Sequence, residues 1–509
     1  MTFTVVDAAS GLAVVGASVS MDGRTIVTGS DGRVTVAPTT LTGSVQVSAP
    51  GYLGQRGTLG EHLADEQRVL IHPISTASDL PLGDEAASSA TSAAPPAATT
   101  GAAATTTDLT PIQGSNIAGV VLDGNGAPIV DALIRSGSET ARSGPDGGYS
   151  LGVVGDRRDL VVSASGYADR TVSPSESLSV RLARREIKAA YVSGNAAASP
   201  SQVDRIVTLV DSTELNAVVI DVKESVVYYD TKVEFFRKAN AVKPVFDAAA
   251  VVKRFRDRGI YTIARIVVFK DPLVAEAYPD LAVKDDRGGL WRGAEGEAWV
   301  NPFEKGLWQP NIDLALEAAR FGFDEVQYDY IRFPSDGDLS TANFGPDYSE
   351  AARVGAIVGF LKEAQSQIAP SGAKLAVDIF GIVAVYPDDQ GIGQRLADIA
   401  PYVDYVCAMV YPSHFDATSI DVGGKPNDFP YETIKLSLRM AKAKMPGMEL
   451  KLRPWLQDFS LPGMTAYGAE QLQAQIKASD EADFGGWMLW NANSTFTESA
   501  LKADSGPNA

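Results

Sequence analysis

A chain of 509 residues is too long for one hydrophobic core, so several domains are expected. Lys and Arg total 44 against 63 Asp and Glu; a formal charge of −19 gives no broad field for phosphate backbones, so nucleic acid is not an expected partner. With one cysteine and three histidines, intrachain disulfides, thiolate zinc clusters and multi-histidine metal hydrolases are ruled out.

The sequence contains no nucleophile-elbow G-x-S-x-G and no phosphate-binding G-x-x-x-x-G-K-[ST]. No apolar run reaches the roughly 18 residues of a transmembrane span. Cys407 reads as a small buried side chain on a strand. Nothing calls for a metal or a cofactor, and an acidic loop with Asp336 and Asp338 reads as solvated. These absences direct attention to carboxylate chemistry.

Taken in chain order, the first 185 residues contain an internal repeat at a constant offset of 115 residues. Val6 pairs with Val121, Val14-Val15 with Ile129-Val130, Ala17 with Ala132, Asp31-Gly32 with Asp146-Gly147, and Gly51-Tyr52 with Gly166-Tyr167. Each copy alternates with period two, as in Ala17–Met21 and Leu160–Ala164, and carries Asp-Gly pairs suited to tight hairpins. The pattern resembles the carboxypeptidase regulatory-like family. The resemblance implies small β-sandwiches of about seven strands, acting as spacer or binding modules without catalysis.

The expected boundaries are 1–75 and 114–184 for the two sandwiches. Residues 76–113 form an Ala/Ser/Thr/Pro linker whose small side chains bury too little to offset ordering entropy. Met1–Val6 lacks the basic-then-apolar pattern of a signal peptide. The sandwich-and-linker arrangement favours a secreted or extracytoplasmic protein whose leader or anchor has been removed.

From Glu186 the period changes, and short apolar runs alternate with amphipathic helical stretches. Strands are expected at Ile187–Val192, Ala217–Val222, Tyr261–Phe269, Glu325–Tyr330, Leu375–Phe380, Tyr402–Val410, Leu450–Leu456 and Trp487–Trp490. Helices fall between them, among them Asp204–Thr213, Ala248–Arg258, Asp313–Phe321 and Glu350–Ile368. Eight such units over residues 185–505 predict a (β/α)8 barrel, so the whole chain is multidomain, two small all-β sandwiches followed by an α/β barrel.

Active sites of such barrels lie at the C-terminal strand ends. There the sequence places Asp221 and Lys223, Arg265 and Lys270, Asp329 and Arg332, Asp378, Tyr411 and His414, Arg453, Trp455 and Gln457, and Trp490 and Asn491. Period two puts Glu325, Gln327 and Asp329 on one face, with Glu325 deeper and structural. It also groups Asp221 with Lys223, and Arg453 with Trp455 and Gln457.

Five stretches, Asn216–Lys223, Ala264–Asp271, Gly322–Pro334, Met409–His414 and Arg453–Gln457, closely resemble a bacterial domain family named for glycosyl hydrolases. The resemblance implies a barrel that binds and hydrolyses a carbohydrate. Glycoside hydrolysis needs one ionised and one protonated carboxyl group. Related barrel glycosidases carry an essential acid at the end of strand four, so Asp329 is the expected nucleophile or base, with Arg332 or Lys223 lowering its pKa. Asp378 is the expected general acid, and Asp221 the alternative.

Lys223, Arg265, Lys270, Arg332, Tyr411, His414, Arg453, Gln457 and Asn491 are expected to bind substrate, and Trp455 and Trp490 to offer flat faces to sugar rings. Trp308 and Trp487 are expected in the core. The segment from Lys270 to Pro302 is a candidate lid. Two further readings stand beside hydrolysis: a barrel that only binds or anchors to glycan, and a transglycosylase. The oligomeric state is left open.

Overall fold

The computed structural model describes residues 115–503, apart from 138, 154–158 and 174–178, together with strand segments and a few turn residues within 2–71. The expected linker and the Gly51-Tyr52 pair lie outside the described residues. Met1–Thr107 and Asp108–Ala509 are separate compact units.

In the first unit, strands Thr2–Asp7, Ser18–Met21, Arg24–Val27, Arg33–Thr35, Ser44–Ser48, Gln55–Thr58 and Glu66–Ile71 form two sheets. Their order is fourth–first–seventh in one sheet and third–second–fifth–sixth in the other. Val5, Val14, Ala17, Val19 and Val34 are buried.

The second unit opens with Ser115–Leu122, Leu133–Ser136, Glu139–Arg142, Gly148–Val153, Leu160–Ser163, Arg170–Val172 and Ser179–Arg181, paired in the same two orders. One buried hydroxyl motif recurs at the sequence offset. Thr28 Oγ1 donates to Val14 O at 2.7 Å and accepts from Ala17 N at 2.9 Å. Ser143 Oγ does the same with Ile129 O and Ala132 N at 2.7 and 2.9 Å. Such a bridge satisfies backbone groups that the strand ends would otherwise leave buried and unpaired.

Eight parallel strands then close a barrel: Ile187–Val192, Ala217–Lys223, Tyr261–Val267, Glu325–Asp329, Lys374–Phe380, Tyr405–Met409, Trp455–Gln457 and Gly486–Trp490. Period two is visible in the packing. Ile187, Ala189 and Tyr191 join the cluster that fills the barrel, while Ala190 and Val192 join the larger apolar layer shared with the helices. The long helices run Pro200–Ser212, Ala248–Arg256, Trp308–Phe321, Glu350–Ile368, Pro430–Lys444 and Ala469–Ala482.

Two strands are shorter than the alternation suggests. Strand seven was expected from Leu450, but Glu449–Lys451 forms a 3-10 turn and Pro454 has no N–H to give the ladder. Strand six starts at Tyr405 because Ala400–Tyr402, with Pro401 inside it, is also a 3-10 turn.

The second sandwich packs on the rim where the barrel strands begin. Gly166 N donates to Tyr405 Oη at 3.1 Å, and Gly166 takes φ +79° so close to Leu450 that a Cβ would stand 3.0 Å from that side chain. Lys451 reaches Asp131 at 3.1 Å, Arg184 reaches Asp483 at 2.9 Å, and Lys374 reaches Asp169 at 3.6 Å. A freely tethered spacer does not have such a seat; this module is a floor for the barrel. No helix among the described residues is long and apolar enough to cross a membrane.

Candidate active site

The C-terminal strand ends converge on one side chain. Arg265, from strand three, donates from Nη1 to Asp221 Oδ1 at 2.6 Å on strand two. Its Nε and Nη2 both donate to Asp329 Oδ2 on strand four, at 3.0 and 2.5 Å. Asp378 Oδ2, on strand five, lies 3.9 Å from Arg265 Nε. Three acids thus share one guanidinium, and all four side chains are nearly fully buried.

The in-register pairing of strands explains this. Asp221 stands opposite Arg265, and Arg265 opposite Gln327, two residues below Asp329. A lumen-facing position on each strand therefore points at the same axial level.

The remaining acid oxygens are also engaged. Tyr330 N donates to Asp329 Oδ1 at 2.5 Å, Trp455 Nε1 donates to Asp378 Oδ1 at 2.7 Å, and Tyr191 Oη donates to Asp221 Oδ2. Burial pushes the Asp221 carboxyl up to about 6 against the pull of Arg265. Burial and then the adjacent Asp329 charge push Asp378 well above the ordinary carboxylate range, with Arg265 and the Trp455 N–H opposing.

Above these acids opens a cavity of about 350 Å³. Arg265, Asp329 and Asp378 reach it, and Tyr330, Phe380, Tyr411, Phe415, Trp455 and Trp490 form most of its wall. Trp490 lies under the Arg265 guanidinium, 5.2 Å from ring centre to Cζ, and packs at 4.1 Å on Tyr191. Trp455 is fully buried and contributes its N–H to Asp378, so its role is polar as well as apolar. His414 Nδ1 shares a hydrogen bond with Ser413 Oγ at 3.0 Å, and burial lowers the imidazole pKa. Gly381 lets strand ends five and six meet beneath this wall, since a Cβ there would stand 2.4 Å from Met409 O.

Eight of the sequence-predicted residues meet here: Asp221, Arg265, Asp329, Asp378, Tyr411, His414, Trp455 and Trp490. Six do not, and the expectations for them are corrected. Lys223 is fully buried against Asp271 at 2.7 Å and Val267 O at 2.6 Å. A register shift between Asp221 and Lys223 pairs Lys223 with Ile266 on the outer face, so the two do not share a side. Arg453 lies at the base of the barrel, where it pairs with Glu325, and its Nη1 donates to Oε2 at 3.1 Å.

Arg332 is buried between the rings of Phe380, Trp299 and Tyr330 at 4.1, 5.0 and 5.1 Å, behind the cavity wall. Arg265, not Arg332 or Lys223, is the cation that holds Asp329. Lys270 pairs with Glu295 and Glu297, both at 3.3 Å. Gln457 accepts from Ser413 N at 3.0 Å and donates to Phe459 O at 3.0 Å, bracing a loop. Asn491 donates its amide to Asp458 O at 2.5 Å, another loop brace.

The segment from Lys270 to Pro302 is tied down rather than loose. Lys284–Asp285 pairs with Ala342–Asn343, and Trp291 and Trp299 are buried. Sequence reasoning missed Tyr191, whose alternation with Ile187 and Ala189 gave a usable signal. It also missed Tyr330, which packs on the helical layer as alternation implies but reaches the cavity as well. Among the described residues no cluster of His, Cys, Asp and Glu is arranged to hold a metal ion.

The sequence profile of a family described as "Putative glycosyl hydrolase domain" matches residues 189–496. A solved hypothetical protein from Ruminiclostridium thermocellum is 35% identical over 37% of this chain and 96% of its own, with a TM-score of 0.34. The PgaB (BpsB) glycoside hydrolase domain from Bordetella bronchiseptica is 12% identical over 62% of this chain and 99% of its own, TM-score 0.48. A chitinase from Chromobacterium violaceum is 13% identical over 62% and 97%, TM-score 0.38. No curated protein matches the chain.

Proposed function

We propose, from the premise that this chain belongs to that glycosyl hydrolase domain family, that the barrel hydrolyses a glycosidic bond in a bacterial polysaccharide or cell-wall glycan. The observation that carries the reading is the sharing of Arg265 by Asp329 and Asp378 at the mouth of an aromatic-walled cavity. Asp378, whose pKa is raised by burial and by Asp329, is the carboxyl suited to hold a proton and supply it to the leaving oxygen. Its Oδ1 accepts from Trp455, which leaves Oδ2 to carry that proton. Asp329, held by two donors of Arg265, is the carboxylate that attacks the anomeric carbon.

Asp329 Oδ2 and Asp378 Oδ2 lie 3.0 and 3.9 Å from one Nε atom, so they are separated by roughly 7 Å at most. That bound on one pair of oxygens is compatible with the spacing of about 5–5.5 Å used by retaining enzymes. Retention of configuration is the reading it favours. Asp221 tunes Arg265 from below and does not itself border the cavity. The sandwiches are proposed to be carboxypeptidase regulatory-like modules, supported by their shared strand order and repeated hydroxyl bridge. An extracytoplasmic location suits such a substrate.

The test is release of reducing ends by the purified chain from a panel of bacterial polysaccharides. Asp329→Asn and Asp378→Asn are each expected to reduce it by about 10²–10⁴-fold. Release unchanged in both variants would remove the two-carboxylate reading. Retained glycan binding without release by the native chain would favour a barrel that only binds.

A further inference from the structure

Strand four ends at Asp329, and the residue just past it serves two faces at once. Val326 and Tyr328 face the helical layer, and Asp329 faces the lumen, so Tyr330 is due to face outward again. Tyr330 does pack against that layer, yet it also lines the cavity beside Asp329, its neighbour in sequence. The backbone makes this possible by turning left-handed at Tyr330, with φ +49°. A bulky residue rarely adopts that conformation, and such outliers persist only where the surroundings over-determine them.

The surroundings here do so on every side. Tyr330 N donates to Asp329 Oδ1 at 2.5 Å, and Tyr330 O accepts from Phe269 N at 3.2 Å. Lys270 Nζ and the Arg332 guanidinium stand 5.3 and 5.1 Å from the ring centre, and Trp299 packs edge-on at 5.9 Å. Lys270 and Arg332, which do not reach the cavity, thus clamp a residue that does. Among the described residues nothing exchanges a hydrogen bond with the Tyr330 hydroxyl, although the backbone and ring are held so tightly.

We propose that Tyr330 is a substrate-contacting residue of this site, whose hydroxyl hydrogen-bonds the sugar unit lying against Asp329 and Asp378. The left-handed turn then has a purpose: it places a donor one residue from the reacting carboxylate, fixed by the same peptide N–H. Lys270 and Arg332 are positioning residues that act through the ring. The inference rests on the carbohydrate reading of the cavity, but not on that carbohydrate being cleaved.

The experiment compares the native chain with Tyr330→Phe, which keeps the ring, its cationic neighbours and the backbone turn. Turnover is measured on the polysaccharide panel. Binding is measured by fluorescence anisotropy with fragments of the same polysaccharides, partially acid-hydrolysed and end-labelled. Loss of one hydrogen bond predicts a fall in kcat/KM, or a rise in fragment Kd, on the order of tenfold at unchanged Tm. Equal kcat/KM and equal Kd would overturn the proposal. Should the native chain cleave nothing, the hydrolytic reading fails by itself, and fragment binding decides. Weaker binding by Tyr330→Phe supports the contact; equal binding, or none by either protein, overturns it.

Discussion

Asp221 and Asp378 share Arg265 but feel it differently, and the difference has a pH signature. Burial dominates both, and both are raised, so each binds a proton more readily in the folded chain than in the unfolded one. For Asp221 the ordinary value of 3.8 rises to about 6. A carboxyl raised in this way favours folding most below its unfolded value, and the contribution is lost as pH rises through about 6. The slope amounts to about 3 kcal/mol between those limits. Urea unfolding at about pH 4 and about pH 7 should show Asp221→Asn losing that pH dependence.

On the proposed mechanism the acid is Asp378 in its protonated form, so rate should fall as pH rises through its elevated pKa. Asp221→Asn removes a negative charge and leaves Arg265 freer to stabilise an ionised Asp378. The alkaline limb of the rate profile should therefore move to lower pH, by something on the order of one unit. A limb that stays in place or moves up would mean that Asp221 does not act on Asp378 through Arg265.

Among secondary-structure elements, alternation told which residues of a strand face inward but not how deep they lie. Strand one and the helix Glu350–Ile368 match their sequence patterns end to end, because nothing competes with the local period. Arg453 shares a face with Trp455 as expected, yet two residues along a strand is about 6.6 Å of height, enough to move it from mouth to base. Lys223 was misplaced by a bulge, and Tyr330 was passed over because a left-handed turn carries it to the cavity, neither of which has a period to read. Residue types at strand ends were legible, and so was the face where no bulge or turn intervened; the depth was not.

The Lys223 bulge yields a prediction of its own. Lys223 and Asp271 form a fully buried pair joining strand two to the start of the helix Pro272–Ala277, which Asp271 caps through Val274 N at 3.1 Å. Removing one partner leaves an uncompensated buried charge, a loss of about 3–5 kcal/mol. In Lys223→Met, Asp271 loses its nearest opposite charge, so its already raised pKa rises further and the damage should grow as pH rises above the ordinary carboxylate range. Lys223→Met combined with Asp271→Asn should recover part of the loss, because the amide carries no charge. Chemical unfolding of the singles and the double at two pH values measures this. Additive losses would show that the pair is not coupled.

For the whole molecule, the question is what the second sandwich does for a barrel whose mouth is at the opposite end. The barrel base is unusually polar for a core: Glu325 and Arg453 are fully buried there, with Tyr261 donating to Glu325 at 3.1 Å and the Arg453 guanidinium 4.2 Å above the Tyr405 ring. Buried ion pairs need a dry, well-packed surround to repay their desolvation. The sandwich supplies part of it, through Gly166 on Tyr405 and through Asp131 and Asp169 opposite the nearly buried Lys451 and Lys374. A chain starting at residue 108 keeps this floor, whereas one starting at residue 185 loses it and opens the base to water. The shorter chain should melt lower by on the order of 5–10 °C, and Gly166→Val, which forces a β-branched side chain into a left-handed turn against Leu450, should reproduce part of that drop. On the proposed function, cleavage well below the melting point should survive the truncation, because the acids and Arg265 sit at the far end of the strands. If all three chains melted together, the sandwich would be an appended module after all, and the buried pair at the base would be held by the barrel alone.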